Sequence, residues 1–296
     1  MKVLKVFAIL ALVASPVLAD QAFEPASAGS GPAVPPDPGA PVWAGPRAVL
    51  YDNGPLVTHP GGGAGGADAS YLQTALGMTI YGFGHALSSG YRVADQFTVP
   101  AGQTWDLTNI TTFAYQTGSG TTSTINSVSI EIRNAAPPGG TVVWGDTTTN
   151  VFSSSSWSNI YRVLDTSPGD TARPIMATVA NTPVSNLGAG TYWISWQVGG
   201  TGASGPWAPP VSIVGQTATG DALQFDGSTW SPLTDVGGQG LPFIIEGTVQ
   251  GGGGGGGGGG GTGGAAEPIP TLSKTGVVVL VLALIGIAAV LIRRRM

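Results

Sequence analysis

The residues with the most chemical potential in this sequence are aromatic. Trp105, Trp144, Trp157, Trp193, Trp196, Trp207 and Trp230 fall in its central part, with Tyr115, Tyr161 and Tyr192. An exposed indole face stacks on a pyranose ring, whereas the same ring in a core removes roughly 150–250 Å² from water. Two positions favour exposure. Trp193 and Trp196 point to opposite faces of one strand-like run, so one of them is expected to face outward. Trp207 lies in Ser204-Gly205-Pro206-Trp207-Ala208-Pro209-Pro210, a loop-like stretch. Trp193 and Trp207 are therefore the candidates for stacking on a saccharide, with core packing as the alternative for each.

Carboxylates are the second chemical resource. Asp52, Asp95, Asp221 and Asp226 lie in or beside strand-like runs. With backbone carbonyls, such residues hold structural calcium in β-sandwiches, which makes Asp52, Asp95 and Asp226 candidate ligands. Capping of turns is the commoner duty of Asp at such places. A pair of carboxylates also serves glycosidases, but spacing in the chain does not pair any two of them. His59 and His85 are the only histidines, and no Gly-x-Ser-x-Gly elbow, HExxH helix, P-loop or EF-hand loop is present. With no cysteine anywhere, a thiolate zinc site is excluded. No catalytic motif is found, and apart from possible calcium no cofactor is expected.

The elements that must position these residues read as strands. Ser127 to Arg133 alternates, with Val128, Ile130 and Ile132 on one side and Ser129, Glu131 and Arg133 on the other. In Thr191 to Val198, Tyr192, Ile194, Trp196 and Val198 share a face. Further strands are expected at 91–99, 104–115, 141–144, 159–164, 175–179, 211–214, 222–225 and 242–249, with a short helical turn over Tyr71 to Leu76. Short strands separated by Gly- and Pro-rich turns, with no alternation of helix and strand, predict an all-β, jelly-roll-like sandwich spanning residues 48–250.

Both ends differ in kind from this domain. Residues 1–19 read as a signal peptide: Lys2 and Lys5, an apolar run to Val13, and a small-residue cleavage site between Ala19 and Asp20. Residues 20–47 are a Pro- and Gly-rich lead-in that buries too little apolar surface to fold alone. Residues 251–268 open with eleven consecutive glycines. At 5–6 Å × √n, such a tether spans roughly 20 Å. Gly276 to Ile292 is uncharged and mostly aliphatic, about 25 Å long as a helix, and is followed by Arg293, Arg294 and Arg295. The positive-inside rule puts those arginines in the cytoplasm and the β domain outside.

All sixteen acidic residues lie between Asp20 and Glu267, against five arginines in that span. So acidic a domain repels phosphate backbones, and nucleic acid is not an expected partner. Charged residues are only 9% of the chain, compared with about a quarter in typical domains; Ser, Thr, Asn, Gln and Gly form the polar surface instead.

The run Ile269-Pro270-Thr271-Leu272, then Gly276, the aliphatic helix and the terminal arginines closely resembles the IPTL-CTERM sorting signal of Gram-negative bacteria. Thr275 stands where that family usually has Trp, and Lys274 where an acidic residue is common. The resemblance covers the final 28 residues, 269–296, and implies recognition by an exosortase-type membrane enzyme after signal peptidase has acted. In the domain itself, Tyr51-Asp52-Asn53-Gly54 and Ala94-Asp95-Gln96-Phe97-Thr98-Val99 resemble a recurrent kind of secreted bacterial β domain, which implies architecture alone. The expected protein is an exported cell-surface or matrix protein, structural or adhesive and not an enzyme. Its C-terminal helix is expected in the inner membrane before processing, with extracellular release of the domain as one outcome of that processing. A carbohydrate-binding module with polysaccharide as partner is the alternative, and a glycan-acting enzyme follows behind it.

Overall fold

A computed structural model describes residues 22–250, apart from 30, 32 and 47. The segments read above as signal peptide, glycine tether, sorting motif and C-terminal helix lie outside the described residues. Among the described residues no helix is long and apolar enough to cross a membrane.

The domain is an all-β sandwich. Its first sheet has the order β2-β15-β6-β10-β9-β3, formed by Val49–Asp52, Phe243–Gln250, Thr104–Ala114, Pro174–Leu187, Phe152–Leu164 and Asp68–Leu72. The second has the order β14-β13-β5-β11-β7-β8, formed by Trp230–Pro232, Leu223–Phe225, Arg92–Val99, Gly190–Gly200, Ile125–Arg133 and Val142–Gly145. Every pairing in them is antiparallel except β3 with β9. The alternation read from the sequence explains why they stack. Val128, Ile130 and Ile132 of β7 and Ile194, Trp196 and Val198 of β11 meet Leu107, Ile110, Met176, Ala180 and Ile245 from the first sheet in one buried cluster. Each such side chain removed from water contributes about 1.5–3 kcal/mol.

A third, small sheet joins β1 (Phe23–Pro25), β4 (Ile80–Gly84) and β12 (Trp207–Ala208). Tyr81 and Trp207 from it enter a second cluster with Leu72, Phe113, Tyr115, Ile160 and Ile175. This is where the expectation for Trp207 fails. Trp207 pairs with Gly84 as a strand residue, is 1% exposed, and donates its indole N–H to Ser204 Oγ at 3.1 Å. The surrounding prolines and glycine end the segment; they do not push the ring into solvent.

Three further expectations are corrected. Tyr71 to Leu76 is not one helical turn: Asp68–Leu72 is strand β3, and only Thr74–Leu76 forms a 3-10 turn. Residues 211–214 form no strand, because Val211 N–H and Ser212 N–H bond to the carbonyls of Gly240 and Pro55 in irregular connections. The lead-in is not wholly excluded from the fold, since β1 pairs with β4. Its Glu24 is fully buried against Arg173 at 2.9 Å. Arg173 also donates to Gly29 O and Asp170 Oδ2 and stacks over Tyr81 at 3.7 Å. A long-range ion pair thus joins the backbone pairing and the contacts of Ala26 and Trp43 in holding this Pro- and Gly-rich segment to the domain.

The two motifs quoted above for the domain meet each other. Asn53 Nδ2 donates to Asp95 Oδ2 at 2.9 Å and to Leu241 O at 2.8 Å. Leu241 N–H reaches the same Asp95 oxygen at 2.8 Å. Asp95 is an inward-facing carboxylate of β5, and Asn53 directly follows β2, so this contact ties an edge of one sheet to the other.

Candidate functional site

The outer face of the second sheet carries the one groove, among those described, whose walls combine aromatic rings with arginines. It has a volume of about 490 Å³ and is lined by Arg92, Glu131, Arg133, Phe225, Thr229 and Trp230, with Pro138 and Ser228 at its rim. That volume is in the range of small-molecule and sugar sites, roughly 300–1,000 Å³.

Strand register builds it. Phe225 is paired with Trp230 across β13 and β14, and with Arg92 across β13 and β5. The three side chains therefore form a row across the sheet. The rings of Phe225 and Trp230 lie 5.5 Å apart, and the Arg92 guanidinium sits 4.6 Å from the first and 5.5 Å from the second. Both distances are within cation–π reach. On β7, Glu131 and Arg133 face outward for the same reason that Ile130 and Ile132 face inward. Arg133 Nε donates to Glu131 Oε1 at 2.7 Å, and its Nη1 holds the rim by donating to Gly139 O at 3.2 Å.

The β13–β14 turn is closed by Asp226, whose Oδ1 accepts the N–H groups of Thr229 at 2.8 Å and Ser228 at 2.9 Å. Those two bonds, that from Thr229 first, hold its carboxyl below the usual carboxylate range. Gly227 at φ 92° completes the turn in a conformation that side chains avoid. Asp146 does similar work in the loop after β8, accepting from Thr148 and Thr149, whose hydroxyl and backbone donors lower its pKa. That loop lies over polar β-face residues: Gln197 Nε2 donates to Ser129 Oγ at 3.0 Å and to Thr147 O. Burial lowers the pKa of Arg92, with Glu131 opposing the change.

The residues marked in the sequence are distributed otherwise. Trp193 does lie on the outer face, paired with Arg133 and Gln96, yet it is only 8% exposed; enclosed in that surface, it offers no open ring. With Trp207 in the second cluster, neither stacking candidate is available. Asp95 is buried among Asn53, Leu241 and Gln96, Asp226 is a turn cap, and Asp52 is an exposed strand end. The three are not brought together, and among the described residues no three His, Asp or Glu side chains converge to hold a metal ion. His59 stacks on Tyr71 at 3.9 Å. His85 is fully buried, which lowers its pKa to about 3.

The groove escaped the sequence reading because its walls lie on four strands spread from Arg92 to Trp230. The one local signal was Asp226-Gly227-Ser228-Thr229, a tight-turn signature with an aromatic at each end. Glu131 is the only carboxylate among the groove's lining residues, which suits binding better than two-carboxylate hydrolysis. No protein-family model matches the chain, and neither a curated protein nor a solved structure matches it.

Proposed function

We propose that this chain is an exported cell-surface or matrix protein whose β domain, of jelly-roll type, adheres to extracellular glycan through the groove on its second sheet. The observation that carries the reading is the Phe225–Trp230 aromatic pair beside Arg92, Glu131 and Arg133. Aromatic faces supply stacking area at low entropic cost, and flanking charged and hydroxyl groups satisfy sugar hydroxyls. The jelly-roll reading is supported by strands β5, β6 and β7 falling in alternate sheets, as do β10 and β11.

The two ends supply the address. Signal peptidase cleaves between Ala19 and Asp20. The IPTL-type motif with the aliphatic helix and Arg293 to Arg295 presents the chain to an exosortase-type enzyme at the inner membrane. The glycine tether keeps the domain clear of that surface. Intact-mass measurement tests this part: mature protein begins at Asp20 and lacks Arg293 to Arg295, whereas a terminal helix retained throughout would mark a plain anchor.

Binding is tested by retention on immobilised bacterial and plant polysaccharides. The full chain is retained by at least one of them, and Trp230→Ala weakens that retention about tenfold or more, the scale of one lost aromatic contact. Trp43→Ala, which alters a separate groove near Glu246, leaves it unchanged. No retention on any polysaccharide would reject the reading.

A further inference from the structure

We infer that the groove selects an anionic saccharide, a uronic-acid polysaccharide whose carboxylate pairs with Arg92; this deepens, and rests on, the glycan reading above. The argument begins with where positive charge is found. The described residues contain four arginines and no lysine. Arg162 and Arg173 are fully buried. Arg162 spends its donors on the carbonyls of Tyr71, Ile80 and Tyr81 and on the hydroxyls of Ser70 and Ser212, and Arg173 is paired with Glu24 and Asp170. The remaining two, Arg92 and Arg133, both line this groove. In a chain with a formal charge of −5, the described guanidinium groups that reach solvent are thus gathered in one place.

Within the groove the two differ. Arg133 is committed to Glu131 and to the carbonyls of Pro138 and Gly139. That pair neutralises the groove's one lining carboxylate. Arg92 has no carboxylate within ion-pair distance among the described residues; what fixes it is the two aromatic rings. A guanidinium stacked on rings keeps its planar donor edge directed sideways, and that edge matches a carboxylate with two parallel hydrogen bonds. Ring faces beside a pre-oriented guanidinium fit a uronate, whose pyranose ring stacks while its C6 carboxylate pairs. A phosphate polymer is disfavoured because it offers no ring at that spacing, and it serves as a competitor in the test.

The test uses the full chain in a zwitterionic detergent, since sugar-headed detergents compete. Dissociation constants are measured for polygalacturonate, polymannuronate and polyguluronate, for the carboxyl-reduced form of each, and for polyphosphate, at low and high salt. At least one polyuronate should bind about tenfold or more tightly than its reduced form, the scale of a charge-assisted contact. This advantage should shrink at high salt. Arg92→Gln should abolish the advantage, weakening binding of the polyuronate far more than that of its reduced form, with the cooperative melt retained. Arg92→Lys, which keeps the charge but not the planar fork, should restore only part of it. Equal affinity for both forms of every polymer, or a preference untouched by Arg92→Gln, overturns the inference but leaves the glycan reading intact. Tighter binding of polyphosphate than of any polyuronate also overturns it. Binding to no saccharide, charged or neutral, sinks both.

Discussion

Replacing Asp95 with Asn should stabilise the protein near neutral pH and do little in mild acid. Asp95 is 3% exposed, and burial raises its pKa from 3.8 to about 6 even though Leu241 N–H, Gln96 N–H and Asn53 Nδ2 all donate to it. A carboxyl raised in the folded state contributes stability that is complete below about pH 3.8 and is lost as pH climbs through about 6. At 1.36 kcal/mol per tenfold, the displacement corresponds to ~3 kcal/mol. Asn resembles the protonated acid, so Asp95→Asn should lie within ~1 kcal/mol of wild type at about pH 4.5 and exceed it by ~3 kcal/mol at about pH 7.5. The comparison must be a difference between the two proteins, because His85 acts with the opposite sign. Its pKa is lowered to about 3 by burial, so stability falls as pH drops from about 6.5 towards 3 in both proteins. Urea unfolding followed by tryptophan fluorescence at the two pH values measures this difference. If Asp95→Asn is instead the less stable protein at neutral pH, the three donors outweigh burial, and the clasp between Asn53 and Asp95 rests on charge.

Other substitutions probe the frame that positions the groove. Glu24→Gln leaves buried Arg173 with Asp170 as its sole carboxylate, and should cost about 3 kcal/mol. It should also expose the segment around β1 to limited proteolysis; an unchanged urea midpoint would show that β1 is not anchored by this pair. Gly145→Ala should destabilise by about 1–3 kcal/mol, because Gly145 has φ 74° and an added Cβ would lie 2.1 Å from Ile130 O. A thermal melt unchanged by that substitution would mean that β8 is free to move away from Glu131.

The extent to which the sequence disclosed this protein follows from the range of each interaction. Strands β7 and β11 were legible because their apolar positions alternate within nine to eleven residues and one face is buried. Strand β1 was not, because its partners are remote: β4 in the small sheet and, for Glu24, Arg173, 149 residues away. Trp207 was misjudged for a related reason: Pro206 and Pro209 mark a chain break correctly, but burial depends on Tyr81 of β4 and on Tyr115, which directly follows β6 and bridges to Trp207. Trp193 was assigned to its proper face, yet alternation determines direction and not exposure, and the neighbouring strands closed over it. The groove combines both limits. Each wall residue looks ordinary in its own strand, and only the register of β13 against β5 sets Phe225 beside Arg92.

Hydrogen exchange read by mass spectrometry on the full chain, with and without oligogalacturonate or whichever oligosaccharide binds best, tests the central claim most directly. With ligand bound at the groove, exchange should slow in peptides covering residues 131–140 and 223–232, and stay unchanged in those covering 174–187 on the other sheet. Bound saccharide with protection confined to any other surface would contradict the assignment of this groove as the glycan site.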